Sequence, residues 1–278
     1  MKAAIQFDYS TQGQAVRQSA RSGDLSGHTS GLARGNLQGN VVILPSSHAG
    51  SFLQYCLNNP KPCPLIGVSA LGDPALPSLG RDIDIRTDLP RYRVFHNGVY
   101  DEETTNIVEL WSDDFMTFVI GCSFTFEQAL QDNGVAVRNI DDELNVPMFR
   151  TNIETMPAGP FCGPLIVTMR PVKTELVPAA FEATRPFTHS HGVPIHVGAA
   201  SDLGIADLDK PDFGDAIEVA EGEVPVFWAC GVTPQLALGV AKPPICITHS
   251  PGSMLVTDLN GDEPPTVDFP FSMITTNK

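Results

Sequence analysis

The sequence predicts an α/β protein: a three-layer, mostly parallel α/β domain assembled from residues 1–142 and 223–278, with a two-layer α+β domain inserted over residues 143–222. Two strand–helix–strand runs, one toward each end of the chain, predict the outer domain. A different order, strand–strand–helix–strand, predicts the insert. The third observation is bulk. A chain of 278 residues with 42% apolar and 18% charged side chains can bury a sizeable core and lies outside the composition of disordered chains.

Taken in order, Thr11 to Ser22 reads as a helix, with Ser10 as its cap and Gly23 as its stop. Val41 to Leu44 is a buried strand ended by Pro45. The next helix carries Phe52, Leu53, Cys56 and Leu57 on one face, and Leu65 to Ser69 is the strand that completes a βαβ unit. His96-Asn97-Gly98 between Tyr92, Val94 and Val99 is a hairpin signal. Ser112 is read as the cap of a helix running through Val119, broken at Gly121-Cys122-Ser123. A second helix, Phe124 to Gln131, stops at Asn133-Gly134. Val146–Ile153, Pro164–Arg170 and Val193–Val197 read as strands of the insert, and Glu175–Thr184 as its helix. Val224–Ala229, a helix opened by Thr233-Pro234, and Ile245–Thr248 restore the βαβ pattern. No internal repeat is evident in the letters.

Charge narrows the partners. Lys and Arg number 17 and Asp and Glu 32, a net charge of −15, so nucleic acid and anionic membrane surfaces are disfavoured. No apolar run approaches the roughly 18 residues of a membrane span, and Met1 to Asp8 carries no apolar leader. The six cysteines are scattered with no C-x-x-C, which fits reduced thiols in a cytoplasmic protein. His189, His191 and His196 lie close in sequence, but their spacing does not match a zinc site, so no metal is expected.

Candidate chemistry sits beyond the ends of predicted strands, first at Pro45-Ser46-Ser47 after Leu44, and at the break between two predicted helices. Gly121-Cys122-Ser123-Phe124-Thr125-Phe126-Glu127 brings a thiol, hydroxyls and a carboxyl together, and the apolar flanks of Glu127 suit an acid of raised pKa. Arg150 and Arg170 fall on neighbouring predicted strands and suit a carboxylate clamp, with Asn152 beside them. Cys230-Gly231-Val232-Thr233 and His249-Ser250-Pro251-Gly252 follow the last two strands. Each taken singly is equally an ordinary cap, kink or surface ion pair.

Several long stretches together resemble one family. They include Asn58-Asn59-Pro60-Lys61-Pro62-Cys63-Pro64, Asp84-Ile85-Arg86-Thr87-Asp88-Leu89-Pro90-Arg91-Tyr92, Ile120 to Glu127, Pro147-Met148-Phe149-Arg150-Thr151-Asn152-Ile153, Pro225 to Gln235 and Ile247 to Gly252. The resemblance is to the D-glutamate cyclase family, whose bacterial members are labelled hydro-lyases. It implies closure of D-glutamate to 5-oxo-D-proline and water, with no cofactor. Ring closure is intramolecular and profits from orientation, but it needs a neutral amine and a polarised carboxyl.

Under that reading Arg150 and Arg170 bind carboxylates, Glu127 is the acid and His249 the base at the amine. Amides near Cys122, Ser123 and Thr233 stabilise the oxyanion, and Asn152 and Thr125 orient the substrate. Two alternatives stay open. One is a thiol route through Cys122 or Cys230 at a helix N-terminus on another small amide or acid. The other is a small-carboxylate-binding protein without chemistry. A homodimer is the general expectation for such an enzyme.

Overall fold

The computed structural model describes residues 9–142, 144–263 and 265–267. Residues 1–8, read above for a leader, and residue 143, the expected start of the insert, lie outside the described residues, as do residues 264 and 268–278. The elements in chain order are α1 (Tyr9–Ser22), β1 (Asn36–Pro45), α2 (Ser46–Asn58), β2 (Leu65–Val68), β3 (Tyr92–His96), β4 (Val99–Thr104), β5 (Phe115–Gly121), α3 (Phe124–Asp132), α4 (Arg138–Asp141), β6 (Met148–Glu154), β7 (Pro164–Lys173), α5 (Val177–Thr184), β8 (His196–Val197), β9 (Glu223–Ala229), α6 (Val232–Ala241), β10 (Ile245–His249) and β11 (Leu255–Asn260). No helix among the described residues is long and apolar enough to cross a membrane.

The mixed α/β class holds, but the mostly parallel sheet does not: every pairing between these strands is antiparallel. The first sheet runs β2-β5-β1-β10-β3-β4, with β11 also pairing β1. β1 and β2 do point the same way, as a βαβ unit requires, but β5 lies antiparallel between them. A crossover helix fixes strand direction and leaves adjacency open. The second sheet runs β6-β7-β9-β8. β9, expected in the outer domain, pairs with β7 from Val167↔Ala229 to Lys173↔Glu223. The helix α6 therefore links the two sheets instead of closing a βαβ unit within one.

The helix expected at 112–119 is the strand β5. Its Phe-Met-Thr-Phe-Val-Ile run is buried on both faces, so it lacks the alternation that marks a half-exposed strand. One face of the first sheet packs Val42, Leu44, Phe118 and Ile120 against Phe52 and Cys56 of α2 and Ala237 and Leu238 of α6. Its other face packs Val41, Ile43, Val119 and Ile247 against the 76–89 loop through Leu76, Leu79, Ile85 and Leu89. Phe126 and Leu130 of α3, with Ala180 and Ala183 of α5, cover Val172, Val226 and Trp228 of the second sheet. The chain thus has two sheets whose helices are shared across their boundary.

A repeat hidden in the letters emerges at that boundary. β5 leads into α3 through Cys122-x-x-Thr125-x-Glu127-x-Ala129-Leu130, and β9 into α6 through Cys230-x-x-Thr233-x-Gln235-x-Ala237-Leu238. The hydrogen bonds match. The Cys122 amide donates to the Gln38 carbonyl at 2.9 Å, and the Gln38 amide to Thr125 Oγ1 at 3.1 Å. The Cys230 amide donates to the Ile166 carbonyl at 3.0 Å, and the Ile166 amide to Thr233 Oγ1 at 3.0 Å. Each corner is tied by its Thr to the neighbouring strand, β1 in one half and β7 in the other. Two short matching stretches 108 residues apart fall below what inspection of a sequence detects, which corrects the expectation of no repeat.

Candidate active site

The two corners face a common cavity, with Ser123 as the N-cap of α3 and Gly231 as that of α6. Both corners are close-packed. A Cβ on Gly121 would collide with the His189 carbonyl oxygen, and one on Gly231 with the Asn40 side chain. At Gly121 only glycine fits, because the backbone at His189 passes directly against it. Asn40 projects from the middle of β1 into the cavity wall, and its Nδ2 donates to the carbonyls of Ile120 and Gly121, both at 3.2 Å. The amide N–H groups of Ser123 and Gly231 have no partner among the described residues. The next turn is served by the thiols: the Val232 amide donates to Cys230 Sγ at 3.5 Å, and the Phe124 amide to Cys122 Sγ.

His249 enters where a ladder is interrupted. β10 pairs β1 up to Val42↔Thr248, residues 250–254 loop out, and β11 resumes at Gly39↔Leu255. At the gap His249 Nδ1 accepts the Val41 amide proton at 3.1 Å. Its Nε2 lies 3.3 Å from the Gln235 side-chain amide. Burial pushes the His249 pKa down to about 4, opposed by the Val41 carbonyl, so the ring is neutral near pH 7. His191, held in the left-handed region at φ 77°, also lines the cavity, with Nδ1 3.0 Å from the Lys61 carbonyl. Burial pushes it down to about 4 as well.

Behind Ser123 lies a buried ion pair. Arg170 Nη2 donates to Glu127 Oε1 at 2.8 Å and to Ser123 Oγ at 3.3 Å, and Nη1 donates to Thr168 Oγ1 at 3.3 Å. The guanidinium lies over the rings of Phe126 and Trp228, 5.4 and 5.5 Å from their centroids. Glu127 also accepts from Asn139 Nδ2 and Ser30 Oγ, each at 3.2 Å.

The structure therefore sorts the predicted residues. Cys122, Ser123, Cys230 and His249 line the cavity. Glu127 is not a lone desolvated acid, because Arg170 is its counter-charge, and Arg170 is correspondingly not free as a clamp. The thiols do not fit an activated nucleophile: burial pushes Cys122 up to about 12 and Cys230 up to about 11, which outweighs the helix N-termini. Thr125 and Thr233 bind strand amides rather than cavity space, and the Thr233 N–H is taken by the Cys230 carbonyl.

Arg150 and Asn152 lie outside. Arg150 is exposed, 3.4 Å from Asp212 and over the Phe213 ring, and Asn152 is exposed against Gly204. The reason is register. Arg150 sits opposite Ile166, so Arg170 is four residues further along the neighbouring strand, about 13 Å away. Among the described residues no group of three His, Cys, Asp or Glu is placed to hold a metal.

Asn40, His191 and Gln235 were missed. Asn40 is a single polar residue leading an apolar strand, His191 sits between Ser190 and Gly192 in a loop, and Gln235 is betrayed only by its match to Glu127 in the repeated corner.

Comparison with known proteins adds the class. Two relatives named "Putative hydro-lyase" are 58% identical over 248 residues in Jannaschia sp. (89% of this chain, 93% of the relative) and 56% identical over 244 residues in Bordetella petrii (88% and 92%). A mixed α/β chain with a cavity at two strand–helix corners and such relatives is an enzyme of the lyase class. Residues 116–258 match the family profile of D-glutamate cyclase, and the chain belongs to that family. Among solved structures, a nitrogen repressor-like protein from Methanococcus jannaschii aligns over 83% of this chain and 90% of its own at a TM-score of 0.37 and 10% identity, too slight a likeness to build on.

Proposed function

We propose that this protein closes D-glutamate to 5-oxo-D-proline and water. Family membership supports the reaction class, and one observation carries the reading: the unpaired Ser123 and Gly231 amides, at N-caps of helices leaving two different sheets, open onto one cavity. A two-ended acid suits that arrangement, one carboxylate at each helix end, and this replaces the arginine clamp.

The balance is simple. The α-nitrogen attacks the side-chain carboxyl carbon, one C–N bond forms and one C–O bond breaks. The departing oxygen leaves as water with two protons from the ammonium group. In this reading the Ser123 amide and hydroxyl hold the carboxylate on the α3 side, with Arg170 and Glu127 fixing the hydroxyl from behind. His191 accepts the amine proton: its Nδ1 faces the Lys61 carbonyl, which only accepts, so a neutral ring carries its lone pair on Nε2, and the Gly121 backbone favours the ring once it is protonated. His249 assists the departing oxygen, Cys122 and Cys230 serve as small neutral wall groups, and Thr125 and Thr233 hold the two corners in place.

NMR of the purified protein with D-glutamate, L-glutamate and 5-oxo-D-proline tests the reading. Stereoselective interconversion of D-glutamate and its lactam is expected, and it should drop by about a hundredfold or more in His191→Gln. Saturable binding with no turnover at high enzyme concentration would instead mean a carboxylate-binding protein.

A further inference from the structure

We propose that Gln235 is a positioning residue that holds His249 as the Nε2-protonated tautomer by accepting its N–H at the cavity edge, so that His249 passes that hydrogen bond from the amide to the leaving oxygen when substrate binds and acts as a donor rather than a base. The donor's target rests on the cyclisation reading above, whereas the tautomer and the role of Gln235 do not.

The argument begins at the interrupted ladder. Unbroken pairing would give the Val41 amide a backbone carbonyl of β10. The chain turns away after His249, and the amide finds His249 Nδ1 at 3.1 Å. The Val41 carbonyl oxygen is also near Nδ1, at 3.3 Å. The two contacts demand opposite tautomers. The amide decides, because a buried N–H without a partner is rarer than an under-used carbonyl with its two lone pairs. Nδ1 is then the acceptor, and a neutral ring carries its proton on Nε2.

Nε2 meets the side-chain amide of Gln235 at 3.3 Å. A protonated Nε2 requires the amide oxygen toward the ring, an orientation of the same shape as its flipped form. The choice of Gln is itself informative. Gln235 occupies in α6 the position that Glu127 occupies in α3. Glu127 faces the cation Arg170. Gln235 faces an imidazole, and a carboxylate there would favour the imidazolium. A neutral amide takes the N–H without stabilising charge. The other charged group acting on the ring, Arg93 on β3, also disfavours the imidazolium. Glu103, the nearby acid on β4, is engaged by Arg91 and by Ser250. Cys122, Cys230 and His191, which share the cavity, are neutral near pH 7.

Two measurements test this. The first needs no substrate: imidazole ¹⁵N NMR of the free enzyme, assigned through His249→Gln. A protonated Nε2 and an unprotonated Nδ1 across about pH 6 to 8 are expected, and an Nδ1-protonated ring or an imidazolium there overturns the proposal. The second is kinetic. Gln235→Glu should raise the His249 pKa and move the acid limb of the pH–kcat profile up by about one unit or more. Gln235→Met, similar in volume but no acceptor, should lower kcat by about ten- to a hundredfold with KM within about threefold. Gln235→Asn should show intermediate kcat if a displaced amide still reaches the ring. An unmoved profile in Gln235→Glu with unchanged kcat in Gln235→Met refutes the positioning role. If no variant or wild type turns over D-glutamate, the cyclisation reading fails while the NMR arm still decides the tautomer.

Discussion

At the scale of single residues, the two cavity histidines give the protein a pH dependence that can be worked out. Both have folded pKa values near 4 against an ordinary 6.5, with burial the main cause. Between about pH 6.5 and 4 the unfolded chain binds protons at these sites that the folded chain refuses. Stability therefore rises with pH across that window and is lost as pH falls through it, by about 1.4 kcal/mol per unit for each histidine. Urea unfolding of wild type and His249→Gln at several pH values checks this. The variant should lose that increment of slope between pH 6.5 and 4, and equal slopes would mean that His249 titrates normally. The same residues mark the limit of reading a sequence. Cys230 and His249 were legible because each follows a predicted strand end at which a cavity can form, and Cys122 and Ser123 because they form a glycine break with small polar residues between two predicted helices. Arg170 was legible as a cation, but not its partner Glu127, 43 positions away and joined only by folding. Arg150 failed because a clamp depends on register, and register is set by the whole pairing pattern.

At the scale of elements, the strand–helix corner is the unit that matters, and its glycines set its tolerance. Gly121 lies against the backbone carbonyl of His189, where nothing can swing aside. Gly121→Ala should therefore cost about 3 kcal/mol or more and lower Tm by about 6 °C or more in a calorimetric scan. Gly231 lies against the Asn40 side chain, a softer neighbour. Gly231→Ala should lower activity more than Tm, because the displaced amide points into the cavity wall. Equal Tm for Gly121→Ala and wild type would show the corner to be looser than drawn. Element types were legible where the apolar period or a turn signal was clear, as in α2, in α3 with its Asn133-Gly134 stop, and in the Asn97-Gly98 hairpin, whose two turn residues take φ of 51° and 79°. β5 was not. A strand buried on both faces has no alternation to display, and its preceding Ser112 imitates a helix cap. Nor could the letters say that β5 would slip between β1 and β2.

At the scale of the whole molecule, two antiparallel sheets are joined through matching corners, and the cavity lies where the corners meet. The chain as a whole is acidic, and this has a kinetic consequence if the substrate is an anion, as proposed. Under the proposed cyclisation the substrate is D-glutamate, which a net charge of −15 repels on approach. The two helix N-termini at Ser123 and Gly231 oppose that repulsion at short range. Salt screens the long-range repulsion within a Debye length of about 10 Å at 0.1 M and acts far less on the desolvated contacts. Raising ionic strength from about 0.02 to 0.3 M should thus increase kcat/KM for D-glutamate by about two- to threefold, through a lower KM at constant kcat. Steady-state kinetics over a sodium chloride series measures this. A fall in kcat/KM with salt would mean that a local positive field outweighs the net charge, and the two helix ends, with Arg93 and Arg170 behind them, would then steer the substrate as well as hold it.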